Sequence, residues 1–275
     1  MKNIKHKNIS STESKILTTF MDKDKTWFTL LEAYSCFSEL SKTAIRFHLK
    51  NMTDGGLLMR IREGVYYIIP YEHDARTYMP DRHLLAEPLV GGDYYIGYYS
   101  ALQIHSLITQ PSLVEKIVVN KQIKPSSIKI KKARFQYIYH NEKHFFGYEK
   151  TWIDNFNKVY CSDLEKTFID CLFKPDYGDG IVEIGKALYF AQKNIDFEKL
   201  MKYIDRFESV AVVKRLGYLL ELLEIENPII EALQEKTTKS VVLLDTSLPK
   251  QGKINSRWSI QQNADIETIK NAIYT

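Results

Sequence analysis

Apolar residues recur at helical spacing in three short blocks near the start of the chain. Ile16, Leu17 and Phe20 follow Ser10 and Glu13, whose separation is that of a capping box. Leu30, Leu31, Ala33, Tyr34 and Phe37 follow Thr29 and Glu32, which repeat the signature. Ser41 caps a third helix in which Ile45, His48, Leu49 and Met52 share one face while Thr43, Arg46, Phe47 and Lys50 fall mostly on another. Gly55 and Gly56 supply the left-handed backbone that stops it. LLMRI and VYYII, joined by Arg62-Glu63-Gly64, then read as a hairpin. Three helices and a hairpin predict a winged helix-turn-helix over residues 1–74, of which residues 1–9 form a basic arm.

The pattern changes beyond that point and predicts a second, α+β domain over residues 75–275. DRHLLAEPL reads as one helix, DYYIGYY as extended, and Ser100 with Gln103 as the box of a further helix. KIVVN, SIKIKK, RFQYIYH, HFFGYE and KVY, rich in β-branched and aromatic residues, predict a mainly antiparallel sheet. Helical spacing returns in a helix opened by Ser162 and Glu165, then over residues 181–193, 197–207, 210–224 and 228–236. VVLLD and SRWSI read as closing strands, followed by a short helix through Ile266, Ile269 and Ile273. The C-terminal part is therefore expected to be helical.

Composition adds little until charge is placed on these elements. A chain of 275 residues with 44% hydrophobic residues can fill real cores, and a net charge of +4 is too small for a general polycation. Any nucleic-acid surface must be local, which singles out Lys42, Arg46 and Lys50 on the third helix and Arg60 and Arg62 on the hairpin. In a DNA complex Arg46 is the expected base contact, with Thr43 and Lys50 next and Arg60 and Arg62 on phosphates. The same domain type also serves as a protein-interaction module or a plain scaffold. Cys36, Cys161 and Cys171 are odd in number and lack CxxC spacing, so reduced thiols in a cytoplasmic protein are expected. No stretch approaches the ~18 apolar residues of a membrane span, and no export leader is read at the N-terminus.

Motifs that carry chemistry are sparse. HNEKH at 140–144 places two histidines and Glu142 near each other, but on strand residues that do not bring HxxxH imidazoles to one side. DYGDG at 176–180 lacks the remaining ligands of a calcium loop and reads as a turn between helices. There is no phosphate-cradling glycine loop, GxSxG elbow or HExxH, so no catalytic residue, metal or cofactor is expected. Gly217 inside an apolar helix implies close approach of another backbone. Beside it, Lys214 and Arg215 either pair with Asp163, Glu165 or Asp170 or face a partner.

The helical start together with SDLEKTFIDCL at 162–172, KRLGYLLELL at 214–223 and SRW at 256–258 resembles the AbiEi family of antitoxins, over nearly the whole chain. That resemblance implies a bacterial type IV toxin-antitoxin component associated with phage defence. It implies a winged helix-turn-helix that binds double-stranded operator DNA and represses its own operon. It further implies a C-terminal domain, with Lys214 and Arg215 as candidates, that counters a nucleotidyltransferase-like toxin without a stable complex. The tyrosine-rich sheet, including Tyr94, Tyr95, Tyr98, Tyr99, Tyr137 and Tyr139, leaves open an effector-responsive regulator that binds a small molecule there. An enzyme acting on nucleotides or on the toxin is a further alternative.

Overall fold

The computed structural model describes residues 9–108 and 110–274, so the expected basic arm falls, but for Ile9, outside the described residues. The chain divides into two compact units, the first ending at Gly92 and the second beginning at Asp93. The boundary drawn from the sequence at residue 74 lies within the first.

In the first unit α1 (Ser11–Met21), α2 (Leu30–Cys36) and α3 (Lys42–Asp54) are the three helices read from the sequence. Ser10 with Glu13 and Thr29 with Glu32 each form the reciprocal capping box, and Ser41 Oγ accepts from the Ala44 amide. Only Gly56, at φ +76, takes the left-handed conformation after α3; Gly55 stays right-handed. The hairpin is β2 (Leu58–Arg62) and β3 (Val65–Ile68), with a register shift between Arg60 and Arg62. A strand missed in the sequence, β1 (Trp27–Thr29), pairs antiparallel with β3 to give the order β1-β3-β2. Three residues are too few for an alternation to show. Ile16, Phe20, Phe28, Phe37, Ile45, Leu49, Met52 and Leu58 fill the core between helices and sheet, and the Phe20 and Phe28 rings stack at 4.0 Å. Beyond β3 the DRHLLAEPL segment is a 3-10 turn (Arg82–Leu85) running into α4 (Ala86–Val90).

The second unit opens with β4 (Tyr94–Ile96) and α5 (Tyr98–Ile104). The strands β5 (Val114–Val119), β6 (Ser127–Ile130), β7 (Ala133–Tyr139), β8 (Tyr148–Trp152) and β9 (Lys158–Ser162) follow. Their order with β4 is β6-β7-β5-β4-β9-β8. β5–β7 and β4–β9 are parallel and the other three pairings antiparallel, so the sheet is mixed where a mainly antiparallel one was expected. The helices are α6 (Leu164–Phe173), α7 (Ile181–Ala191), α8 (Phe197–Phe207), α9 (Val210–Leu222) and α10 (Ile229–Glu235). A small sheet of β10 (Val242–Leu243), β11 (Ile254–Asn255) and β12 (Ile260–Gln261) precedes α11 (Ile266–Asn271). The protein is thus α+β with a helical C-terminal part.

Two expected caps are displaced. α5 starts at Tyr98, and Ser100, already inside it, accepts the Lys116 amide on β5 at 2.9 Å. Ser162 ends β9, while Asp163 caps α6 by accepting from the Lys166 amide. α6 is buried on every side from Glu165 to Leu172, so it is the central helix of this unit rather than an amphipathic one. Among the described residues no helix is long and apolar enough to cross a membrane.

Candidate nucleic-acid interface

The packing of α3 determines which of its side chains point outward. Ile45, Leu49 and Met52 are buried, and Lys42, Thr43, Arg46, Phe47 and Lys50 are therefore all exposed, Phe47 with 58% of its surface free. α3 carries no carboxylate before Asp54. Arg46 Nε donates to the Tyr34 hydroxyl at 2.6 Å, with its guanidinium 6.0 Å from the Tyr34 ring centroid, and Lys42 Nζ lies 5.5 Å from the same ring. Tyr34, read from the sequence only as a packing residue of the second helix, thus seats both cations and leaves the two Nη atoms of Arg46 as its outward fork. Nothing in the local sequence signals this, because Tyr34 and Arg46 sit on separate helices.

Arg60 and Arg62 are exposed alternate positions of β2. Arg62 Nε donates to the Pro88 carbonyl at 2.8 Å, and its guanidinium lies where a Cβ on Gly91 would fall, 2.5 Å from Nη2. It is partly occupied in bracing the end of its own unit, which leaves Arg60 the less encumbered of the two.

Lys214 and Arg215 do not meet the carboxylates considered for them. Both are buried in α9. Arg215 donates through Nη1 to the carbonyls of Leu172 (2.6 Å) and Phe173 (3.2 Å) at the C-terminal end of α6, and through Nε to Leu243 (3.0 Å). A cation there answers carbonyls that a helix end leaves unpaired and the negative pole of its dipole. Burial pulls the Arg215 guanidinium down to about 10, so it remains charged at neutral pH. Lys214 Nζ donates to Thr238 O at 2.7 Å and to Ser240 O. The carboxylates are taken by other lysines: Asp170 pairs with Lys166, and Asp163 and Glu165 with Lys199. The close neighbour of Gly217 is a ring rather than a backbone, since a Cβ there would lie 2.0 Å from the buried Trp258 indole. α6, α9 and the Trp258 turn therefore join one another in the core.

Sequence reasoning missed a sealed polar network around α6. Lys166, Asp170, Tyr95, Tyr98 and His140 are each at most 2% exposed. Lys166 Nζ donates to the Asp170 carboxylate and to Tyr95 Oη at 2.9 Å, and Tyr95 in turn donates to Asp170 Oδ2 at 2.9 Å. Because the Tyr95 proton is given to Asp170, His140 Nδ1, 3.2 Å away, must supply the hydrogen between them and to the His144 carbonyl at 3.3 Å. His140 Nε2 then accepts from Tyr98 Oη at 2.8 Å, in a neutral imidazole that burial holds down at about 4 despite the nearby Asp170. Burial likewise lowers the Lys166 ammonium and raises both tyrosine hydroxyls. Only the Lys166–Asp170 spacing of four hinted at this, and such a pair ordinarily lies on a helix surface.

His140 and His144 are thus occupied by packing: His144 stacks on Phe207 at 3.8 Å and its Nε2 donates to Phe207 O. Among the described residues no group of three or more His, Cys, Asp or Glu is placed to hold a metal ion. DYGDG is the turn between α6 and α7, with Asp179 and Gly180 left-handed. Tyr99, Ser112, Lys116, Asp176, Tyr177 and Asp179 line a cleft of about 270 Å³. The three cysteines are free, and burial pushes the Cys161 and Cys171 thiols up.

No family model and no curated protein matches this sequence. Among solved structures the fold is similar to that of the RV2827C protein from Mycobacterium tuberculosis, with 12% sequence identity and a TM-score of 0.71 over 98% of this chain and 96% of that one.

Proposed function

We propose that the first unit is a winged helix-turn-helix that binds double-stranded operator DNA, and that the chain is the autorepressing antitoxin of a type IV toxin-antitoxin pair. The observation that carries the DNA-binding part is the exposed face of α3, where Lys42, Thr43, Arg46, Phe47 and Lys50 stand together with no carboxylate before Asp54. Three helices followed by a hairpin, in that order, supply the frame in which such a helix enters a major groove. Arg46, seated on Tyr34, presents its Nη fork to a base edge; Lys50 and Arg60 hold phosphates, with Arg62 a weaker contributor. The resemblance of the α6, α9 and Trp258 segments to the AbiEi family supports the antitoxin half. Because Lys214 and Arg215 are buried against carbonyls, antitoxicity is assigned to the surface of the second unit rather than to them.

Binding of the duplex upstream of the gene, followed by fluorescence anisotropy at matched salt, tests the first half. Arg46→Ala is expected to weaken binding by about 1–3 kcal/mol and relax specificity, and Lys50→Gln to reduce the salt slope by about 1. Operator affinity unchanged in both would remove α3 as the reading helix. Co-expression with the adjacent gene tests the second half: residues 93–275 should rescue growth and residues 1–92 should not.

The cleft beside Tyr99 and Tyr177 favours one alternative, a repressor that responds to a small effector. Its volume is at the lower edge of ligand sites. An effector bound there would raise the thermal midpoint with ligand concentration.

A further inference from the structure

The β8–β9 hairpin stands at one edge of the six-stranded sheet and carries an unusual face. Register pairs Trp152 with Lys158 and Lys150 with Tyr160, so these four side chains and Tyr148 share one side of the two strands. Trp152 is 57% exposed and Phe156, at the tip, 87%. Lys158 Nζ lies 4.3 Å from the Trp152 ring centroid and Lys150 Nζ 5.4 Å from that of Tyr160, whose ring meets Tyr148 edge-on at 6.0 Å. Rings and ammonium groups thus alternate from the tip inward.

The carboxylate that acts on this face, Asp93, lies toward Tyr148 and accepts from the Asn120 side-chain amide. Glu149 is on the opposite face, and Asp154 accepts from the Phe156 and Asn157 amides and the Asn157 side chain, which closes the tip on itself. Among the described residues neither Lys150 nor Lys158 forms an ion pair. One face of Trp152 under Lys158 is an ordinary cross-strand pair. The remainder of that ring and the ring of Phe156 stand open to solvent.

We propose that this hairpin face is a stacking platform for a single-stranded polynucleotide. The π-faces of Trp152 and Phe156 accept unpaired bases, and Lys150 and Lys158 neutralise the phosphates between them, the combination by which aromatic and cationic side chains hold single strands without reading sequence. Duplex DNA hides its base faces and is not the occupant. The inference concerns the second unit and does not rest on the operator reading of α3.

The test uses the full chain and a labelled uridine or thymidine oligonucleotide of about 12 nucleotides, within the range one small platform covers. Trp258 is fully buried and Trp27 half-buried, so quenching of tryptophan fluorescence reports chiefly on Trp152. Both oligonucleotides should quench, and annealing either to its complement should abolish the effect. Trp152→Leu should lose the quenching and weaken anisotropy-detected binding on the order of tenfold, while Trp152→Phe retains most of the affinity. Phe156→Ala should weaken it in the same direction, and Lys150→Gln with Lys158→Gln should flatten the salt dependence by about 0.7 per lysine. Trp152→Leu should leave the thermal midpoint and operator-duplex affinity unchanged, and the Arg46→Ala, Lys50→Ala variant should still bind the single strand. Parent-like binding by Trp152→Leu, or loss of single-strand binding in the α3 variant alone, would overturn the platform.

Discussion

A methyl group on Gly217 would lie 2.0 Å from Cη2 and 2.2 Å from Cζ3 of Trp258, whose indole is wholly buried and donates from Nε1 to Glu221 at 2.6 Å. Alanine gains about 1 kcal/mol of helix propensity over glycine, but overpacking a rigid ring costs about 1–3 kcal/mol or more. Gly217→Ala should therefore lower the denaturation midpoint, and the loss should vanish or reverse in a Trp258→Leu background, where the ring is gone. His140 makes a different prediction. Its folded pKa of about 4 lies below the ordinary 6.5, so the unfolded chain binds the extra proton first. Its contribution to stability is complete above pH 6.5 and declines as pH falls towards 4, by no more than about 3 kcal/mol. His140→Gln should flatten the stability–pH curve in that window, as read by urea unfolding at successive pH values.

At the scale of elements, α6 and α9 show how a helix end can be completed by a neighbour. The carbonyls of Leu172 and Phe173 have no partner within α6, and Arg215 reaches them from the middle of α9. Arg215→Met keeps the apolar stem but strands these groups, at about 1–3 kcal/mol for each buried polar atom left unpaired. Thermal unfolding should show a clear drop, and Arg215→Lys should recover only part of it because one ammonium cannot reproduce the guanidinium fork. The caps of α1, α2 and α3 were legible from residues 10, 29 and 41 because each is a local exchange of hydrogen bonds within four residues. The Ser100 and Ser162 caps were misplaced for the complementary reason. Ser100 is drawn to the Lys116 amide of a strand, and Ser162 to Thr167 Oγ1 at 2.7 Å, while Asp163 offers the stronger charged cap.

At the scale of the molecule, the first unit reaches to Gly92. Arg62 is tied to Pro88, Leu85 and Leu89 are buried, and Ala75 packs beside Gly56. A fragment of residues 1–92 should show a cooperative thermal transition by circular dichroism, and one of residues 1–74 a lower or broader one. The DRHLLAEPL helix, which the sequence places in the second domain, belongs to the fold before it.

Sequence by itself determined the helices with reciprocal caps, the hairpin of LLMRI and VYYII, the α+β class and the exposed basic stripe of α3, because each follows from neighbours within one or two turns and from apolar periodicity. The stripe was legible as a set, since burying Ile45, Leu49 and Met52 leaves the other faces outward. Only the tertiary structure decided that Tyr34 seats Arg46, that Arg62 is half committed to Pro88, and that Lys214 and Arg215 turn inward to carbonyls. It also decided the parallel pairings of the sheet and the sealed Tyr95–His140–Asp170–Lys166 network. Apart from the Lys166–Asp170 pair, these join residues 12 to 75 positions apart, and the free energy that selects them comes from burial, which a local pattern of residue types does not encode.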